Sequence, residues 1–312
     1  MLPRLITENT TIFATRRTSE QWFFFKPDKI TNQGILYCLG LALMKFPSIR
    51  LLVALYMSNH SHLIYEDDLG DAPAFTAELH RNIAKFMNTH LKRKENFWSS
   101  DKPSLPVLGD NNDTLMKIVY TMLNPVKAGL VHLPSLWPGA KLLPSDIGKE
   151  IKIKRPKKFF RSMGNNLLPA EVTIKLHIPR DYEQTTEGKH LYLQHFNQML
   201  QSELDDIMEK RKPSEKWLGV ERIKRVDPFS VPKPKSPLWR LKPNFISADR
   251  DKRYSMWLKW KSFQVAYRLA WKKYIDGDHE VEFPLGTYKM RLHHNVKILP
   301  EFVIYEMPSP YE

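Results

Sequence analysis

The strongest constraint on the fold is a predicted β-hairpin at 51–66, LLVALYMSNHSHLIYE. An apolar run ends at Ser58 and Asn59, and a second apolar run follows, as is typical of a two-residue hairpin turn. Alternation along the returning strand puts His60 and His62 on one face. Two adjacent imidazoles can share a metal ion, although such a pair is more often a surface or hydrogen-bonded pair.

The pattern around the hairpin predicts an α+β domain. We expect, in order, a strand at 11–25, a helix at 35–46, the hairpin, a helix at 73–91, a short strand at 103–108 and a helix at 114–124. This β-α-β-β-α-β-α order fits a ferredoxin-like antiparallel sheet with an appended helix, and it puts the histidines on an inner strand.

The composition changes near residue 150, which divides the chain into predicted domains at 1–150 and 151–312. The second part is basic, with 31 lysines and arginines against 20 acidic residues, whereas the first has 17 against 14. The total charge of +14 favours a polyanionic partner, with a solvated basic surface as an equal alternative.

In the second part, we expect helices at 191–210 and 249–274, a proline-rich extended arm at 228–243, and a strand and turn at 280–290. Aromatic rings recur every three or four residues along the 249–274 helix, with lysines between them. This spacing predicts a core stripe first and a stacking platform for nucleic acid second.

The cysteine content and the apolar segments indicate the cellular compartment in which the protein is expected. Cys38 is the single cysteine, which excludes an internal disulfide and a cysteine-based zinc site, and we expect it to be buried and inert. The sequence shows neither a signal-peptide pattern nor an uninterrupted membrane span. We therefore expect a soluble cytoplasmic protein with no membrane partner.

A second group of candidate residues lies near residue 120. Tyr120 and Asn124 are one helical turn apart on the same face, with Lys117 and Lys127 close to it. A phenol could attack a phosphorus centre, cations could bind phosphate, and an amide oxygen could be a third metal ligand. The alternative is a tyrosine that packs its ring and leaves its hydroxyl at the surface.

The two groups together resemble a known family. MSNHSH, followed about 60 residues later by YTMLNPVKAGLV, is similar to the HUH-type single-tyrosine transposases, and most similar to the REP-associated tyrosine transposases (RAYT). The resemblance covers roughly residues 10–140. Two positions depart from it: Ser61 stands where the family usually has a large apolar residue, and 137–140 reads Trp-Pro-Gly-Ala where relatives often have Trp-Ser-Ser.

The resemblance implies a mechanism. His60, His62 and Asn124 would bind Mg²⁺ or Mn²⁺, and Tyr120 would attack DNA to leave a 5′-phosphotyrosyl link and a free 3′-OH. Lys117 and Lys127 would contact phosphate or help the phenol to lose its proton.

The resemblance also implies the partner, which is DNA that is single-stranded at the cut and folded as repeat hairpins. The candidate contacts to its backbone are Arg16, Arg17, Lys92, Arg93 and Lys94. The protein would be in the bacterial cytoplasm, at the nucleoid when bound to DNA, and could form a homodimer. The resemblance assigns no role to 151–312.

Three alternatives stay open from the residues alone. One is a catalytically silent protein that binds DNA hairpins and keeps the fold. The second is a relaxase or replication initiator, although those usually have a third metal-binding histidine. The third is a metal-dependent hydrolase that uses His60 and His62 with water as nucleophile.

Overall fold

The computed structural model describes residues 3–160, 168–233 and 243–305. Its strands are β1 Thr10–Arg17, β2 Ile49–Met57, β3 His60–Asp67, β4 Val107–Leu108, β5 Lys141–Leu142, β6 Ile151–Lys154, β7 Glu171–Ile174 and β8 Phe245–Ile246. Its α-helices are α1 Lys29–Lys45, α2 Ala72–His90, α3 Asn111–Lys127, α4 Arg180–Glu183, α5 Thr186–Lys210, α6 Val220–Arg225, α7 Arg250–Ile275 and α8 Lys289–His294.

Six of the strands form one sheet in the order β5-β2-β3-β1-β4-β8. The pairs from β5 to β4 are antiparallel, and β8 is parallel to β4. β3 therefore lies between β1 and β2, as expected for the split βαβ arrangement of a ferredoxin-like sheet. The predicted α+β class with a mostly antiparallel sheet is confirmed, and the histidines lie on an inner strand.

Helices cover both faces of this sheet. α1 and α2 pack on one face, in a core that includes Leu63 of β3 and Phe75 of α2. α3 and α5 pack on the other face, in a core that includes Ile64 of β3 and Tyr192 of α5. Because neighbouring residues of a strand point to opposite faces, β3 supplies both cores. The appended helix α3 therefore covers the sheet face opposite α1 and α2.

The chain after residue 150 packs against the first part. β6 and β7 pair antiparallel and pack on α1, where Val172 occupies the space that a side chain at Gly40 would need. α5 adds Tyr192 and Phe196 to the core beneath α3. The division into two domains stays a prediction.

The predicted strand at 11–25 is too long. β1 ends at Arg17, and the chain then turns through Glu20 and Gln21, whose φ values of 51° and 59° are left-handed. The aromatic residues that follow, Phe24 among them, are buried in the core of α1 and α2, so their apolar character reflects packing rather than strand pairing. β4 is likewise only the end of the predicted 103–108 strand.

α3 continues beyond its predicted end at Asn124. Pro125 lies inside the helix and lacks an N–H, yet the next turn still forms, because the N–H of Ala128 donates to the carbonyl of Asn124. Gly129, with a φ of 69°, then ends the helix in the left-handed conformation that glycine permits.

The predictions for the C-terminal part succeed for its long helices and fail for 280–290. That segment has no strand in the described part of the chain, because Phe283 makes a single bridge to Ile298 and α8 begins soon after. The aromatic stripe of α7 is only partly core: Phe263 is buried, whereas Trp271 is 41% exposed.

Three remaining predictions concern the compartment and the arm. Cys38 is buried, as expected. Residues 234–242 of the predicted arm lie outside the described residues. Within the described ranges, no helix is both long enough and apolar enough to cross a membrane.

Candidate functional site

The hairpin of β2 and β3 brings the two histidines together. The ring centroids of His60 and His62 are 4.7 Å apart, with the rings nearly perpendicular. Ser61, between them, is 1% exposed and lies on the opposite face of the sheet, as expected. The departure from the family pattern at this position therefore does not alter the histidine face.

α3 places its polar groups on the same face. Its apolar side chains, such as Leu115 and Ile118, are buried against the sheet, which fixes the rotation of the helix. The amide nitrogen of Asn124 lies 3.1 Å from Nε2 of His62. The Tyr120 ring lies 6.0 Å from the His62 ring and is 39% exposed, so the phenol is accessible.

Phe13 of β1 contacts both halves of this arrangement. Its ring stacks on the His62 ring at 5.5 Å and meets the edge of the Tyr120 ring at 6.2 Å. The sequence analysis did not identify Phe13. Its position on a strand that was predicted to pair in the sheet could have indicated it. It keeps the tyrosine ring and the histidine ring at a fixed separation.

Asn59 fixes the orientation of the His60 ring. Its amide nitrogen donates to the carbonyl of Gln21 at 3.3 Å, which leaves its amide oxygen 2.7 Å from Nδ1 of His60. An oxygen can only accept there, so Nδ1 carries the proton when the imidazole is neutral, and Nε2 has the lone pair. This is the tautomer that a metal ligand at Nε2 needs.

The candidate ligands for a divalent cation are His60, His62 and Asn124. Burial, together with the nearby His60, Arg17 and Lys117, lowers the pKa of His62 well below its usual value, so its imidazole stays neutral. The Asn124 amide nitrogen donates to its Nε2, so Nδ1 carries the proton of the neutral ring, and Nδ1 is buried without a hydrogen-bond partner. No third His, Cys, Asp or Glu joins the pair in the described part of the chain. The protein ligands would therefore be two imidazoles and the Asn124 amide.

Two lysines lie beside the tyrosine, as the helix pattern predicts. The Nζ atoms of Lys117 and Lys127 lie 5.2 Å and 5.8 Å from the centre of the Tyr120 ring. Lys127 also forms an ion pair with Glu203 at 2.8 Å, which partly neutralises it. Lys117 is half-buried, and burial lowers its pKa. Of the two lysines, Lys117 therefore lies closer to the Tyr120 ring, and Lys127 is the one paired with Glu203.

The two arginines of β1 lie on opposite faces. Arg17 pairs in register with His60 and shares its face. Arg16 points to α2, where its guanidinium lies 2.9 Å from Nδ1 of His80 and 5.0 Å from the centre of the Trp98 ring. Burial lowers the pKa of Arg16 to about 10. The structure therefore brings Arg17 to the histidine pair, whereas Arg16 packs against α2 and also contributes to the lining of the cleft that contains the histidines.

The buried contact of Arg16 predicts a pH-dependent stability. Burial and Arg16 lower the pKa of His80 well below 6.5, so the folded protein keeps it neutral while the unfolded chain protonates it. Because the unfolded state then binds more protons, the free energy of unfolding falls as the pH drops below about 6.5, by roughly 1.4 kcal/mol per pH unit for this group. His80→Asn, measured by urea unfolding from pH 5 to 8, should reduce this slope, and the exposed His279→Asn should not.

The basic run after α2 lies apart from the site. Lys92 and Lys94 are exposed, and the guanidinium of Arg93 lies 3.7 Å from the centre of the Phe24 ring. None of the three lines the cleft that contains the histidines. Lys102, from the loop before β4, does line it and was not predicted.

The candidate residues open into one cleft of about 740 Å³. His60, His62, Tyr120, Asn124 and Arg17 all line it. The C-terminal part of the chain supplies one section of its wall, through the residues Leu218, Ile223, Val226, Pro232, Lys233 and Ile246. The sequence did not indicate this part of the cleft, because the pattern of residues after 150 does not show which face of the sheet they contact.

The fold of this chain was compared with those of known proteins. No family model matches it, and no curated protein matches it. A solved structure of a REP-associated tyrosine transposase bound to a REP hairpin is similar to this chain, with 18% sequence identity and a TM-score of 0.37. The similarity covers 45% of this chain and 80% of that one. Conclusions about function therefore depend on the geometry of the cleft.

Proposed function

We propose that this protein cleaves and rejoins single-stranded DNA through a covalent link to Tyr120, as an HUH-type tyrosine transposase of the REP-associated kind. One observation carries the proposal. Tyr120 and Asn124, on one face of α3, lie against His60 and His62 of β3 in a single cleft. A phenol beside a potential metal site is the arrangement that phosphoryl transfer to tyrosine requires.

The metal ligands in this proposal are His60, His62 and Asn124. They would hold a divalent cation, Mg²⁺ or Mn²⁺, which would supply Lewis acidity toward the scissile phosphate. Imidazole nitrogens are poorer ligands for Mg²⁺ than oxygen atoms are, so Mn²⁺ is the better probe of this set.

The protein residues carry out the transfer. The Tyr120 oxygen forms a bond to phosphorus, the bond from phosphorus to the 3′ oxygen breaks, and the phenol proton leaves while the 3′ oxygen gains one from solvent. Lys117 is placed to bind a phosphate oxygen during this exchange. Attack by a second 3′-OH then restores a phosphodiester and frees Tyr120, so the link conserves the bond and needs no nucleotide cofactor.

The cleft also supports the choice of substrate. A phosphate in a stacked duplex could not reach a phenol that lies beside a buried histidine, so the strand must be single at the cut. Hairpins formed by inverted repeats present such strands, and the proposal takes them as the natural DNA. His60, His62, Tyr120 and Asn124 come together within one chain. We therefore propose that the site assembles in cis, with or without dimerisation.

The test is incubation of the protein with Mn²⁺ and single-stranded hairpin oligonucleotides from repeats near the gene. A covalent protein–DNA adduct, seen as a slower band on a denaturing gel, supports the proposal. Absence of an adduct with every such hairpin would instead favour a DNA-hairpin-binding protein without cleavage.

The contact between Asn59 and His60 predicts a loss of metal affinity. Asn59→Ala removes the oxygen that holds Nδ1 of His60, so the ring is free to adopt the wrong tautomer or rotate. Outer-shell partners of metal-binding histidines typically contribute 10- to 100-fold in affinity, and we expect about that loss for Mn²⁺ by calorimetry. Asn59→Asp keeps an acceptor and should bind Mn²⁺ at least as well as Asn59→Ala; equal affinity of Asn59→Ala and wild type would contradict the role.

A further inference from the structure

The loop before β4 is held along β1 at the end of the sheet that contains the histidines. The N–H of Ser99 donates to the carbonyl of Arg17 at 3.0 Å, and the N–H of Ser104 donates to the carbonyl of Thr15 at 3.0 Å. Lys102 lies between these two bonded positions in the chain. Its loop is therefore attached to β1 on both sides of the lysine.

Arg17 lies between this loop and the histidine pair. On the other edge of β1, Arg17 is in register with His60 of β3. Neighbouring strands of a sheet are about 4.8 Å apart, so His60, Arg17 and the Lys102 loop follow one another across the sheet within roughly 10 Å. Arg17 and Lys102 both line the cleft that contains the histidines. Two cationic side chains of the cleft therefore come from the two chain segments that follow β3 across the sheet.

The charge of the histidine cleft differs from that of a second cavity in the described part of the chain. The described residues that line the histidine cleft include four basic ones and one acidic one, namely Arg16, Arg17, Lys102 and Lys233 against Asp101. A cavity of about 860 Å³ beside α4 and α7 has three of each, namely Arg4, Arg180 and Lys259 against Glu66, Asp110 and Asp181. Of these two cavities, the histidine cleft is the one with the excess of positive charge that a polyanion would require.

Lys102 is the cation of this cleft whose side chain is most accessible beside β1. The guanidinium of Arg16 is held by His80 and the Trp98 ring, and Arg17 is half-buried. Lys102 is exposed, so its ammonium can meet a ligand without any change in the core. A lysine ammonium on its flexible stem binds phosphate as a point charge.

We propose that Lys102, together with Arg17, binds phosphates next to the scissile one, so that the DNA strand leaves the histidine pair across the edge of β1. The inference rests on the proposed function, because it assigns a path to the strand that Tyr120 attacks. Phe23 and Pro106 line the same cleft and offer apolar surface to the bases. The role of Lys102 is to bind the substrate, and the chemistry stays with Tyr120.

The test compares Lys102→Ala with Lys94→Ala, which removes an exposed lysine that does not line the cleft. Binding of a labelled oligothymidine strand is measured by fluorescence anisotropy in EDTA over a range of salt concentrations. Loss of one phosphate contact should reduce the slope of log K against log salt by about 0.7 in Lys102→Ala. Lys102→Arg keeps the charge and should have the wild-type slope, as should Lys94→Ala.

Three results would overturn the proposal. These are an unchanged slope in Lys102→Ala, an equal loss in Lys94→Ala, and a loss in Lys102→Ala that Lys102→Arg shares, which would indicate a structural role for the lysine.

Adduct formation with Mn²⁺ and hairpin DNA, measured in parallel, separates this inference from the proposed function. If both are correct, Lys102→Ala should need more DNA for half-maximal adduct formation and should keep the wild-type rate at saturating DNA. An adduct in the wild type without a slope effect in Lys102→Ala refutes the strand path and leaves the function. A slope effect in a protein that never forms an adduct refutes the function and leaves Lys102 as a contact to single-stranded DNA.

Discussion

Tyr120→Phe should abolish covalent DNA attachment and strand cleavage, with a loss of at least about 10⁴-fold. Phenylalanine keeps the ring that meets Phe13 and His62 but removes the only atom that can form the bond to phosphorus. Binding of single-stranded DNA should be nearly unchanged, because the ring and the cations around it stay. The measurement is single-turnover cleavage of a hairpin oligonucleotide with Mn²⁺, followed on a denaturing gel.

Tyr182→Phe is the matched control, because Tyr182 is half-buried and does not line the cleft with the histidines. It should cleave like wild type. If Tyr120→Phe still cleaves DNA at a comparable rate and no adduct is trapped in either protein, water is the nucleophile. The protein would then be a metal-dependent hydrolase that uses His60 and His62.

His60→Ala should reduce cleavage at low Mn²⁺ by at least about 100-fold, since it removes one of the two imidazoles of the metal site. Unlike Tyr120→Phe, this loss should be partly reversed by raising the Mn²⁺ concentration, because His62 and Asn124 stay in place. His60 is only half-buried, so the substitution leaves the fold largely intact. Cleavage rates over a Mn²⁺ titration measure the effect.

The exposed histidine His279 gives the control, and His279→Ala should follow the wild-type titration. An identical Mn²⁺ dependence in His60→Ala and wild type would remove His60 from the metal site. Loss of cleavage that no Mn²⁺ concentration reverses, together with a lower free energy of unfolding, would indicate a structural role instead.

Much of the candidate site follows from local pattern. His60 and His62 share a face because a strand alternates, and Tyr120 and Asn124 share a face because a helix turns every 3.6 residues. Those periodicities survive folding because β3 buries side chains on both faces of the sheet and α3 buries its apolar face against it. That the two faces meet depends on α3 packing on the sheet face opposite α1 and α2, which helical periodicity does not determine.

The failures have a common physical cause, which is packing at long range. Arg16 and Arg17 are adjacent on β1, so their side chains point to opposite faces of the sheet. The Arg16 side chain contacts His80, whereas Arg17 lies beside His60. The aromatic residues after β1 have strand-like composition but bury in a helix-covered core. Phe13 and the section of the cleft wall that follows residue 150 were not identified, because their partners lie far away in the chain.

The most direct measurement is identification of the residue that carries the DNA. The adduct formed with Mn²⁺ and a hairpin oligonucleotide is digested with nuclease and then with trypsin, which cleaves after Lys117 and Lys127 and releases the peptide 118–127. Tyr120 is the only tyrosine in that peptide. We expect mass spectrometry to find a 5′-linked nucleotide on it. A nucleotide on any other peptide, or none in a protein that cleaves the hairpin, would contradict a nucleophilic role for Tyr120.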